Sequence, residues 1–207
     1  MISIIIPVYI ANMKLLDVVD RCLRSLEATT TGEYEVITVN DASSVPYEAT
    51  ITHETNTGYT KAVNDGIKRA AGEVLVVAND DIELIEGWQD ALIPMLIDTK
   101  IGVASLPTND EETPINGGII DEAKFGSIWA TRRDVFDSVG LLDESMPHYF
   151  SDLDFYTRVK ESGLRRVKNT SLILPHVGNG TYKIVDPRGD RYYEDMEVYR
   201  KKWGRVD

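Results

Sequence analysis

The sequence predicts an α/β fold in which a mostly parallel central sheet lies between helices, followed by a smaller mixed portion. Three observations predict it. Short runs dense in Val and Ile, at Ile2–Val8, Glu35–Val39, Val74–Ala78 and Ile101–Leu106, have the length and composition of strands buried on both faces. Segments with apolar residues at three- and four-residue spacing separate these runs, as amphipathic helices would. Two of the first three runs finish in carboxylates, at Asn40-Asp41 and Asn79-Asp80-Asp81, where ligands of such sheets bind.

In chain order, Ile2–Val8 is the first strand and Asn12 is placed to cap the next helix. That helix, Met13–Ala28, turns Leu15, Val19, Cys22 and Leu26 inward, and Glu35–Val39 completes a βαβ unit. A helix over Tyr59–Ala71 puts Val63, Ile67 and Ala70 on one face and stops at Gly72. Val74–Ala78, a helix over Trp88–Ile97 and Ile101–Leu106 continue the alternation. The polar stretch Thr108–Asn116 reads as a surface loop, and Gly117–Ile120 and Phe125–Thr131 as strands of the mixed portion. A helix over Tyr149–Ser162, a strand over Ser171–Leu174 and a terminal helix over Glu194–Trp203 complete a single domain spanning 1–207.

With 207 residues and 43% hydrophobic content, the chain can bury a full core. Its formal net charge of -12, with no Lys/Arg block, argues against nucleic acid as a partner. The acidity itself is explained by solubility. A single cysteine, Cys22, rules out an internal disulfide and sits on the inward helix face. Ile2–Val8 is too short to span a membrane and lacks signal-peptide features. A reducing, cytoplasmic setting without a transmembrane segment is the expectation.

The candidate chemistry collects at the strand ends. Asn79-Asp80-Asp81 emerges at a sheet edge, where oxygen ligands could converge on a hard cation that also binds phosphate; Asp and Asn also simply end strands. Asp41, at the equivalent end of the second strand, could accept from a base or ribose, or cap a turn. In Asn56-Thr-Gly-Tyr-Thr-Lys-Ala-Val-Asn64, the helix start and Lys61 could meet an anion. Lys61 and Asn64 share a face there. Ser151 and Asp154 have the spacing of a capping box, while Asp152 near the helix N-terminus would be held ionised and could accept a proton. His176 ends a strand ahead of the glycine-containing loop Val177–Gly180, which could close over a substrate.

Five segments in order resemble the family 2 glycosyltransferases of the GT-A fold: Ser3–Tyr9, Val39–Ser44, Asn56–Asn64, Val76–Asp81, and Val139–Glu144 leading into Ser151-Asp152 and His176. The resemblance covers nearly the full length. It implies a Rossmann-like α/β/α sandwich, with 1–107 as the nucleotide-sugar-binding half and 108–207 as the acceptor and catalytic half. It also implies that Pro7, Val8, Tyr9 and Asp41 hold base and ribose, with Gly58, Lys61, Asn64, Asn79 and Asp80 completing the donor site. Asp81 and His176 would bind Mn or Mg, and Asp152 would be the general base of an inverting transfer from a UDP-sugar to a glycan or other acceptor. Two departures stand out: Asn79 replaces the first acid of the DXD motif, as in rhamnosyltransferase-like members, and Ser151 replaces the usual Glu.

Gly126–Trp129 and Tyr149-Phe150 are candidates for sugar contacts, with core packing as the alternative. Two rival readings stand beside this one, the first of which shares the α/β plan and the metal-bound nucleotide. A nucleotidyltransferase would carry a Gly-rich basic loop after the first strand, which Tyr9–Met13 is not. A non-catalytic nucleotide-sugar-binding module would not need Asp152.

Overall fold

The computed structural model describes residues 1–111, 117–121, 127–176 and 186–204. Within them the alternation runs β1 (Ile2–Val8), α1 (Met13–Thr29), β2 (Tyr34–Asn40), β3 (Ile51–Thr52), α2 (Tyr59–Arg69), β4 (Val74–Ala78) and α3 (Trp88–Leu92). It continues with β5 (Ile101–Leu106), β6 (Ile119–Asp121), β7 (Ile128–Arg132), α4 (Arg133–Val139), α5 (Ser151–Glu161), β8 (Arg165–Asn169) and α6 (Asp190–Trp203). All eight strands form one sheet in the order β3-β2-β1-β4-β7-β5-β8-β6. β1, β2, β3 and β4 are mutually parallel, whereas β7 runs antiparallel between β4 and β5. The sheet is therefore mixed and mostly parallel, and the chain moves from one side of β1 to the other between β2 and β4. Such a reversal opens a crevice beyond the strands' carboxyl ends.

Strand alternation divides the core into two layers. Ile4, Ile6 and Val8 of β1 pack with Val19, Cys22 and Leu26 of α1 and with Trp88 and Leu92. Ile5 points the other way, into Ala62, Val63 and Ile67 of α2 and an aromatic group of Trp129, Phe136, Phe155 and Tyr156. Asn12 caps α1 as expected, accepting from Lys14 N and Leu15 N at 3.0 and 3.2 Å. Cys22 is buried, and burial lifts its thiol far above the usual range, so it is core. No helix among the described residues is long and apolar enough to cross a membrane.

Several expectations are corrected. α2 ends at Arg69, three residues before Gly72; the glycine is needed because a Cβ there would lie 2.6 Å from Ser3 Oγ. Pro94 turns the second half of the Trp88–Ile97 helix into a 3-10 turn. The strand expected at Ser171–Leu174 is reduced to a bridge between Leu174 and Thr108. The strand lies earlier, at Arg165–Asn169, where charged side chains hid its pattern. β7 starts at Ile128, and Phe125, Gly126, much of the Thr108–Asn116 loop and all of Val177–Gly180 lie outside the described residues.

Candidate active site

A cleft of about 520 Å³ opens beyond the carboxyl ends of β1, β2 and β4. Its walls include Pro7, Val8, Tyr9, Asp41, Gly58, Asn79, Asp80, Asp81, Asp152 and His176, so ten of the expected site residues meet in one cavity. Lys61 and Asn64 do not line it. Lys61 Nζ pairs with Asp65 at 2.8 Å on the outer face of α2, one turn along the helix. Asn64 is buried; its amide donates to Leu142 O and accepts from Leu142 N, bracing the loop that leads to α5. The shared face expected for the pair fails because α2 is covered on that side.

Asp41 is 4% exposed and largely satisfied. Its Oδ1 accepts from Thr57 N, Thr57 Oγ1 and His53 Nδ1, each at 2.8 Å, and its Oδ2 accepts from Gly58 N at 2.8 Å. The α2 start thus already holds an anion, Asp41 itself, in place of an open anion site. Gly58 has φ +93°, and a Cβ there would lie 2.5 Å from Pro147 O, so only glycine fits this approach.

At the end of β4 the carboxylates are less well served. Asp80 accepts a long 3.4 Å bond from Tyr9 N, and burial together with the neighbouring Asp81 pushes its carboxyl up to about 7. Asp81 Oδ1 and His176 Nε2 are buried 3.0 Å apart in an ion-pair contact without a directed hydrogen bond, and neither atom has another partner among the described residues. Asp81, with help from Asp110 and against burial, raises His176 to about 9, so a cation binding at Nε2 would displace a proton.

No cluster of three or more His, Cys, Asp or Glu among the described residues is arranged to hold a metal alone. The orphaned Asp81–His176 pair nevertheless fits a cation that completes its shell elsewhere. Two cis ligands at about 2.1 Å from Mg lie about 3 Å apart, and Mg takes few protein ligands beside phosphate.

Asp152 enters from α5, whose start is held from three sides. Thr60 Oγ1 donates to Ser151 Oγ at 2.7 Å, Asp195 of α6 accepts from His148 N and Tyr149 N at 2.8 Å, and Phe150 turns the chain at φ +62°. Phe150 is therefore the N-cap, and the Ser151–Asp154 capping box does not form. Asp154 instead binds Arg158 and Lys202. Asp152 is half-buried and accepts from Leu153 N at 2.7 Å, with no ion pair among the described residues. Burial raises its carboxyl above the ordinary range, overriding the helix-dipole effect expected to keep it ionised.

Tyr149 and Phe150 line the cleft, whereas Trp129, 2% exposed among Phe155 and Tyr156, is core. Sequence reasoning missed Asp110, Glu111, His148, Asp186 and Arg191, which also line the cleft. Arg191 brings a guanidinium to a wall rich in carboxylates. Its helix is distant in sequence, so no local pattern marked it.

The profile of glycosyl transferase family 2 matches residues 3–137. The chain belongs to glycosyl transferase family 2. As a family member it is a glycosyltransferase; the profile's match ends before Asp152, His176 and Arg191. The "uncharacterized glycosyltransferase YwdF" of Bacillus subtilis (strain 168) is 28% identical over 212 aligned positions, covering 87% of this chain and 74% of YwdF. The fold resembles that of S. aureus TarS 1-349 in complex with UDP-GlcNAc (TM-score 0.73, 15% identity, 95% of this chain). It also resembles the mannosyltransferase PcManGT from Pyrobaculum calidifontis in complex with GDP-Man and Mn2+ (TM-score 0.72, 15% identity, 97% of this chain). This chain spans 64% of each of those two solved chains. The architecture is that of the GT-A fold.

Proposed function

We propose that this family 2 glycosyltransferase moves a sugar from a UDP-sugar to a hydroxyl of a glycan or other acceptor, with inversion and with Mn or Mg held by Asp81 and His176. The observation that carries the reading is that Asp152, unpaired with any cation among the described residues, faces the same cleft as the Asp80–Asp81 pair. Base and leaving-group site thus share one cavity.

Pro7, Val8, Tyr9 and the Asp41-anchored loop at Gly58 shape the wall for base and ribose. Asn79 offers an amide oxygen beside Asp80. The acceptor oxygen bonds to the anomeric carbon as the bond from that carbon to the diphosphate oxygen breaks, and the hydroxyl proton passes to Asp152. Its raised carboxyl narrows the mismatch with an alcohol, although transfer remains late and concerted. When bound, the cation supplies neutralising charge for the departing diphosphate. Arg191, in place of Lys61, is a cation lining the cleft among the described residues and is suited to the same task. Assignment to the rhamnosyltransferase-like members rests on Asn79 alone.

The nucleotides held by the two solved neighbours, UDP-GlcNAc and GDP-Man, define the first donors to screen, together with a rhamnose donor. The decisive experiment is Asp152→Asn, expected to lower kcat about 10²- to 10⁴-fold while UDP affinity in Mn2+ stays unchanged. Wild-type turnover in that variant would remove Asp152 as the base.

A further inference from the structure

The turn Thr108–Glu111 has no role in the transfer described above, yet it grips His176 at two points. Asp110 Oδ2 lies 2.7 Å from His176 Nδ1, and Asn109 Oδ1 accepts the His176 backbone N–H at 3.0 Å. The turn is itself locked. Thr108 Oγ1 donates to Asp110 Oδ1 at 2.8 Å, and Glu111 Oε1 accepts from Thr108 N at 3.1 Å. The other Glu111 oxygen pairs with Lys168, whose side chain is 1% exposed. Backbone bonds from Asn109 N to Leu174 O and from Leu174 N to Pro107 O clamp the turn to the segment bearing His176.

We propose that Asp110 is a positioning residue that aims His176 Nε2 at Asp81, with the Glu111–Lys168 pair holding the turn in place. An imidazole presents one nitrogen to a cation only when the other carries the proton, and the hydrogen bond made by the second nitrogen decides which. Asp110 accepts from Nδ1, leaving Nε2, 3.0 Å from Asp81 Oδ1, as the nitrogen that faces the cation site. A buried ammonium is costly to desolvate, so Lys168 must be matched by Glu111; that anchors the turn to β8. The inference rests on the cation reading given under Proposed function.

Titration calorimetry of Mn2+ into the UDP-loaded protein tests it. Asp110→Ala is expected to weaken Mn2+ binding about 10- to 100-fold, whereas Asp110→Asn, which keeps an acceptor oxygen, stays near wild type. UDP affinity in chelator should be equal in all three proteins. Mn2+ affinity in Asp110→Ala equal to that of wild type overturns the proposal alone. Absence of Mn2+ binding by the wild-type protein overturns the cation assignment and the proposal with it. Nitrogen-15 NMR of wild-type His176 in the Mg2+–UDP complex gives a readout independent of the variant's folding. Protonation at Nδ1 is expected, and protonation at Nε2 overturns the proposal.

Discussion

At the β2 end of the cleft, Asp41 accepts four hydrogen bonds of 2.8 Å from Thr57, Gly58 and His53. At the β4 end, Asp80 accepts a long bond of 3.4 Å from Tyr9 N, and among the described residues Asp81 meets His176 without a directed hydrogen bond. The same residue type thus does opposite work at adjacent strand ends. Asp41 is part of the scaffold, because backbone N–H groups of Thr57 and Gly58 donate to it. Asp80 and Asp81 repel each other in a partly dry site, which raises Asp80 and leaves the pair in need of positive charge. Unsatisfied groups in a native cleft mark where a ligand completes the structure.

The sharpest way to break this contrast is a stability comparison in metal-free protein. Asp41→Ala strands the buried Gly58 N–H and the half-buried Thr57 N–H and is expected to cost about 3 kcal/mol in urea unfolding. Asp81→Ala relieves repulsion on Asp80 but gives up the contact with His176, so it should cost less than Asp41→Ala and stay within about 1 kcal/mol of wild type. Equal losses in the two variants would erase the distinction.

A smaller effect separates the two basic residues assigned to the diphosphate. Arg191→Ala is expected to reduce kcat/KM about tenfold, comparable to losing about 1.4 kcal/mol from a charge-assisted contact. Lys61→Ala, which loses a half-buried pair with Asp65 outside the cleft, should stay within about twofold. A larger defect in the lysine variant would restore Lys61 to the donor site.

The smallest effect is expected away from the cleft, where Asp143 resembles Asp41 in being well solvated by the protein. Burial would raise its carboxyl, but hydrogen bonds from Lys202 and Ser145 hold it down to about 2. Its folded value lies below its unfolded one, so its stabilisation is complete above pH ~4 and is lost as pH falls towards about 2. Lys202→Met should therefore flatten the acid limb of the stability curve between those values, measured by thermal melts. An unchanged limb would show that the pair contributes nothing.

The sequence by itself determined the strand–helix alternation, because dense Val and Ile runs and three-to-four spacing report burial locally; β1, β4 and β5 fall where the pattern puts them. It also placed Asn79–Asp81 and Asp41 at the strand ends, since a parallel strand's polar end is a local feature. Charged strands escaped: β8 reads as Arg-Arg-Val-Lys-Asn, and only the sheet pairs Lys168 with Glu111. Tertiary structure alone decided what each carboxylate does. Whether a side chain is satisfied depends on neighbours far away in sequence: Thr57 and Gly58 for Asp41, His176 for Asp81, and the α6 residue Asp195 for the approach of Asp152. The same reason takes Lys61, one turn from an acidic partner, out of the cleft and brings in Arg191, which the folding of α6 carries to the site.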